Sequence, residues 1–173
     1  MKTCLLLTAT ALLLIQGCAG GPVQPQAATL QAGLQPLAGF IGSRHCAGTF
    51  LKSGKAITST ETVTADLSGY WLTLRHADTP PFPFQALELW GYDSKAGHFV
   101  AYIYDNFGGV REFASPGWEG DSFTWTNVDT SMPKRDRFVF LRQPKGAYTF
   151  TYEVTSGGDA WTGVDSLSCT AGG

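Results

Sequence analysis

Tyr148-Thr149-Phe150-Thr151-Tyr152-Glu153-Val154 alternates without interruption. Tyr148, Phe150, Tyr152 and Val154 fall on one side of an extended chain and Thr149, Thr151 and Glu153 on the other, so the segment reads as a β-strand with one buried face. The rest of the chain repeats this pattern in shorter and noisier form. Runs rich in Val, Thr and aromatic residues at 46–52, 56–67, 70–76, 84–92, 98–105, 110–114, 122–127, 137–142, 147–155 and 160–170 are separated by turn-forming links. Ser53-Gly54, Ser68-Gly69, Pro80-Pro81-Phe82-Pro83 and Asn106-Phe107-Gly108-Gly109 are among these links. Short β runs at roughly ten-residue spacing with turns between them specify an antiparallel sandwich or barrel. Helical periodicity is absent except for a turn or two around residues 30–40.

Strands paired in sequence leave two exposed edges unless the sheet closes on itself, and closure removes both. The expected fold is all-β, an antiparallel up-and-down β-barrel of about ten strands. In such a ring the first and last strands are neighbours. One run departs from simple alternation, because Phe99, Val100, Ala101, Tyr102, Ile103 and Tyr104 are apolar or aromatic on both faces. A strand of this kind is covered on both sides, by the N-terminal segment, a neighbouring subunit or a bound apolar ligand.

Upstream, Lys2 is followed by an apolar run from Leu5 to Ile15 that ends in small residues, the layout of a secretory signal. The run is shorter than the ~20 residues a membrane-spanning helix needs. Ile15-Gln16-Gly17-Cys18 resembles the lipobox of bacterial lipoproteins, which implies removal of residues 1–17 and acylation of Cys18. By the same resemblance, Ala19 after the cysteine in place of Asp implies the outer membrane, facing the periplasm. Acyl chains hold a soluble domain at a surface without any spanning segment. Residues 18–36 are mostly Ala, Gly, Pro, Gln and Leu without charge, and read as a tether, with one domain over 37–173. With Cys4 removed and Cys18 acylated, Cys46 and Cys169 remain, near the two ends of the domain. Export to an oxidising compartment and closure of the barrel both favour a disulfide between them, the alternative being two unpaired buried thiols. Such a bridge closes about 120 residues and stabilises by about 4 to 5 kcal/mol on the chain-entropy model.

Charged residues make up 15% of the chain and the net charge is −2, with no basic run, which excludes nucleic acid as an expected partner. No Gly-x-Ser-x-Gly elbow or Walker loop occurs. The histidines, His45, His76 and His98, match no compact metal motif and read as surface or edge residues. No catalytic residue, metal or cofactor is assigned. Glu61, Glu88, Asp105, Glu112 and Glu153 all fall on expected strands, and two of them pointing into one cavity would form an acid and base pair. An inward arginine with a tyrosine hydroxyl would hold a ligand carboxylate in an apolar barrel. Arg75 with Tyr102 or Tyr152 is the expected set. Aromatic residues are 13% of the chain and either fill the barrel or line a cavity. Tyr70, Trp90, Trp125 and Phe140 are the further residues expected at a ligand, with Phe123 and Phe150 on the same strands.

Phe40-Ile41-Gly42-Ser43-Arg44-His45-Cys46-Ala47-Gly48-Thr49-Phe50 resembles the opening motif of lipocalin-like, calycin-type families of bacterial lipoproteins of unknown function, with Arg44 where a tryptophan is usual. Asp66-Leu67-Ser68-Gly69-Tyr70-Trp71-Leu72, Leu89-Trp90-Gly91-Tyr92-Asp93, Trp118 to Trp125 and Trp161 extend the likeness over most of the domain. The resemblance implies a lipocalin-like barrel and, through carriers in that superfamily, a small apolar or lipid-like ligand. Its haem-binding members use a histidine near the end of the barrel, and none follows His98 here, so haem is not implied. An enzyme using inward carboxylates and a structural module with a filled barrel are the alternatives. An outer-membrane β-barrel proper is disfavoured by the lipobox and by Ala171-Gly172-Gly173, which lacks an aromatic ending.

Overall fold

The computed structural model describes residues 29–129, 134–157 and 160–172. Cys4, the signal segment 1–17, Cys18 and the tether as far as residue 28 lie outside the described residues. Eleven strands form: β1 (Gly42–Phe50), β2 (Ala56–Asp66), β3 (Trp71–Asp78), β4 (Gln85–Asp93), β5 (His98–Asp105) and β6 (Val110–Ser115). The remainder are β7 (Trp118–Glu119), β8 (Ser122–Asn127), β9 (Arg135–Arg142), β10 (Tyr148–Thr155) and β11 (Thr162–Ala171). Every neighbouring pair is antiparallel, and β6 also pairs with β8, so ten strands close a barrel and β7 lies outside the ring, paired with β8 alone.

β1 and β11 are neighbours through seven register partners, from Arg44 opposite Ala171 to Phe50 opposite Asp165. Cys46 stands opposite Cys169, and the two are joined in a disulfide across a sequence separation of 123. The expected bridge is therefore present, between the strands where it was expected. The thinnest joint lies elsewhere, at β6 and β8, which share only Phe113 opposite Asn127 and Ala114 opposite Thr126. Gly48 lets β1 cross β11 closely, since a Cβ there would sit 1.8 Å from the Ser166 carbonyl oxygen.

Residues 32–40 form a 3-10 segment (Ala32–Phe40) rather than part of a tether. Pro36 and the glycines at 33 and 39 disfavour an α-helix, while Leu34, Leu37 and Phe40 recur every third residue and so stack on one face of a three-residue turn. All three are buried, as is Leu30, so the ordered domain begins before residue 37. The expected tether boundary fails because mean composition hides this three-residue apolar stripe. The segment plugs one end of the barrel: Gln31 N–H donates to the Gly69 carbonyl after β2, Gly33 lies against the Tyr92 ring of β4, and Trp118 of β7 donates its indole N–H to the Pro36 carbonyl. Its approach needs Gly69, which has φ +82° and no room for a Cβ beside the Thr29 carbonyl.

Phe40 is the centre of the packed half. Its ring stacks on Trp118 at 5.7 Å and meets Trp90, Phe140 and Tyr148 edge-on at 5.2–5.3 Å. The inward Arg44 caps the plug, donating to the Phe40 carbonyl at 2.5 Å and the Gly39 carbonyl at 2.6 Å while lying over the Tyr148 ring. The two-sided strand β5 buries Phe99, Ala101 and Ile103 inside, and on its outer face Tyr102 packs against Trp71 and Tyr104 stays exposed.

Candidate functional site

The other half of the barrel holds a cavity of about 450 Å³. Trp125, Phe140 and Phe150 form its inner wall, and Phe82, Phe84 and Phe107 come from the links after β3 and β5. It reaches the surface beside Phe107, which is 70% exposed. An aromatic body with a few polar groups and a volume in this range is the ordinary make-up of a small-molecule site.

Strand parity selects the polar groups. Ile57 and Val63 face inward on β2, so Ser59 and Glu61, of the same parity, do too, and all four are buried. Leu72 and Leu74 face inward on β3, which carries His76 and Asp78 with them and sends Arg75 to the surface. Glu61 and His76 are cross-strand partners. His76 Nδ1 lies 3.4 Å from Glu61 Oε1, and Nε2 lies 2.9 Å from Asp78 Oδ1. Burial works against a charge on the ring, but the hydrogen bonds to Asp78 and Glu61 outweigh it and raise the His76 pKa to about 10. The Tyr148 hydroxyl donates to the second oxygen of Glu61. Burial, with the Glu61 charge beside it, pushes that phenol up.

Further polar groups lie in or directly behind the wall. Asp136 accepts from Arg111 Nη1 at 2.7 Å, Asn127 Nδ2 at 2.6 Å and the Tyr152 hydroxyl at 3.2 Å. Burial and the Asp136 charge push Tyr152 up to about 12. Glu88 Oε2 accepts from Trp90 Nε1 at 2.8 Å, and burial raises its pKa to about 7, assisted by Glu61 and opposed by the Trp90 hydrogen bond. Asp165, opposite Phe50 near the mouth, is raised to about 6 by burial and by the neighbouring Asp78. Trp125, itself a wall residue, keeps a buried indole N–H with no hydrogen-bond partner among the described residues.

Of the residues expected at a ligand, Trp125, Phe140 and Tyr152 line the cavity. Trp90 is wholly buried beneath it and reaches the site through Glu88. Arg75 and Tyr70 are exposed and Tyr102 lies on the outer face, so the expected Arg75 set does not face the cavity; the arginine and tyrosine that border it are Arg111 and Tyr152, both engaged by Asp136. Glu61, Glu88 and Asp105 border the cavity, whereas Glu112 is exposed and Glu153 pairs with Arg137 at 2.5 Å. His76, expected at the surface, is inside, while His45 is exposed. The parity of Leu72 and Leu74 was the available signal for His76. Among the described residues the one convergent set of three potential metal ligands is Cys46, Glu61 and Cys169, and its two sulfurs are spent on the disulfide. No family model and no curated protein matches the chain.

Proposed function

We propose that this chain is an envelope lipoprotein, held on the outer membrane through acylated Cys18, whose barrel binds one small and largely apolar molecule. The observation that carries the reading is the division of the barrel into a packed half and a half left open as an aromatic-walled cavity. A purely structural module gains nothing from that space, since the aromatic faces lining it forgo the packing contacts that fill the other half. The unpartnered Trp125 N–H in the wall supports the same reading, because a buried donor without an acceptor is unfavourable until something supplies one. Thermal-shift and native-mass measurements on the full chain with envelope lipid extracts test it. A retained or stabilising molecule is the expected result, and the absence of either would count against binding. Cys18→Ser should abolish incorporation of labelled palmitate if the anchor is assigned correctly.

The buried Glu88, which titrates near neutrality in the wall, favours one second reading, proton transfer to or from the bound molecule. Once a ligand is identified, turnover that Glu88→Gln removes even when the ligand is saturating would establish it. Recovery of the ligand unchanged would leave the protein a carrier.

A further inference from the structure

Resting on the binding reading, we infer that the ligand carries a protonated amine on its apolar body, and that Glu88, with Asp165 nearer the mouth, is the carboxyl that receives it. Among the described residues the cavity wall holds five acidic side chains, Glu61, Asp78, Glu88, Asp105 and Asp165, against two basic ones, His76 and Arg111. Both basic groups are already engaged. His76 spends its two ring nitrogens on Glu61 and Asp78, and Arg111 is paired with Asp136. Asp105 is also occupied, accepting the backbone N–H groups of Phe107 and Gly109 in the turn after β5. That leaves Glu88, which accepts the Trp90 indole N–H, and Asp165, which accepts the Tyr152 backbone N–H; neither forms an ion pair among the described residues.

A ligand carboxylate would therefore enter a field of surplus negative charge. An amine would instead supply the missing positive partner, and a charged hydrogen bond is stronger than a neutral one. A bare metal ion fits less well, because the cavity carboxyls do not converge into a set of three among the described residues. The surrounding phenylalanine rings and Trp125 point the same way, since aromatic faces attract organic cations.

Three probes of one shape and different heads test this on the full chain: phenylbutylamine, phenylbutanol and phenylbutyrate, titrated calorimetrically. The amine should bind roughly tenfold more tightly than the alcohol, the ratio expected when a charge-assisted contact replaces a neutral one. Phenylbutyrate should be weakest. Glu88→Gln keeps an acceptor for Trp90 and should bring the affinity for phenylbutylamine down to within about twofold of that for phenylbutanol. Amine affinity of the unaltered protein should rise between pH 5 and pH 8 as Asp165 and then Glu88 ionise, with Glu61, His76 and Arg111 facing Glu88, and Asp78 and His76 facing Asp165. Equal binding of all three probes, or preference for phenylbutyrate, would overturn the amine assignment and leave the binding reading standing. No binding of any probe, with no ligand retained from the envelope, would remove both.

Discussion

Glu61 is 4% exposed and holds two partners, the Tyr148 hydroxyl and Nδ1 of the His76 ring. Glu61→Ala leaves a buried cation with Asp78 alone and strands the phenol, so the barrel should lose about 3 kcal/mol, in the range for breaking a buried pair. Tyr148→Phe removes a hydroxyl while Glu61 keeps His76, and should cost nearer 1 kcal/mol. Urea unfolding of both variants distinguishes the cases, and equal losses would mean that the ion pair adds nothing. The same residues show how much of the site was legible. Trp125 and Tyr152 were readable because a large aromatic on a half-buried strand faces inward when its neighbours are polar, here Thr124 and Thr126, Thr151 and Glu153; Phe140 lies between Val139 and Leu141 and carries no such contrast. Arg75 was misplaced because its chemistry was weighed without its parity. It follows Leu74 directly, and neighbouring residues on a strand cannot share a face. The Arg111 and Asp136 pairing depends on strands far apart in sequence, which local pattern does not report.

At the scale of elements, the plug carries the most testable claim. Phe40 is 2% exposed and touches rings from β4, β7, β8, β9 and β10. Phe40→Ala should destabilise by about 3 to 5 kcal/mol, the usual cost of emptying a buried aromatic site. Circular dichroism on heating reads this as a lower melting temperature. A shift of less than a degree or two would show that the segment is ornamental to the barrel. The strands themselves were mostly readable to within a few residues, and His98–Asp105 and Ser122–Asn127 fall on their expected limits. Alternation and turn chemistry act locally, so they leave a local record. β7 left none, since two residues have no period. The plug was half visible as a turn or two near residues 30–40, and its place in the barrel was not, because an apolar triplet spaced by three names no partner.

The whole molecule responds to two global variables, redox state and pH. Reducing the Cys46–Cys169 bridge frees two points 123 residues apart in the unfolded chain, and should cost about 4 to 5 kcal/mol, read as a lower urea midpoint with reductant present. Unchanged midpoints would mean that strand pairing alone fixes β1 to β11. The pH response follows from three groups whose folded pKa values all lie above their ordinary ones. Asp165 moves from 3.8 to about 6, Glu88 from 4.5 to about 7, and His76 from 6.5 to about 10. In each case the folded protein binds the proton more tightly than the unfolded chain, so the stabilisation is complete below the lower value and is lost as pH climbs through the higher one. The windows adjoin, and the losses therefore accumulate in one direction from about pH 4 to pH 10. Each tenfold difference in proton affinity is worth about 1.4 kcal/mol, so the sum reaches several kcal/mol. Asp93, exposed and held low by backbone N–H groups, has the opposite sign, but it acts below this range. The ligand-free barrel should thus melt several degrees higher at pH 5.5 than at pH 9, against the common trend of proteins whose carboxylates are stabilised on folding. His76→Gln should flatten the upper part of that slope and leave the part set by Asp165 and Glu88. Stability that instead rises from pH 5.5 to pH 9 would mean that His76 is not held as a cation between Glu61 and Asp78.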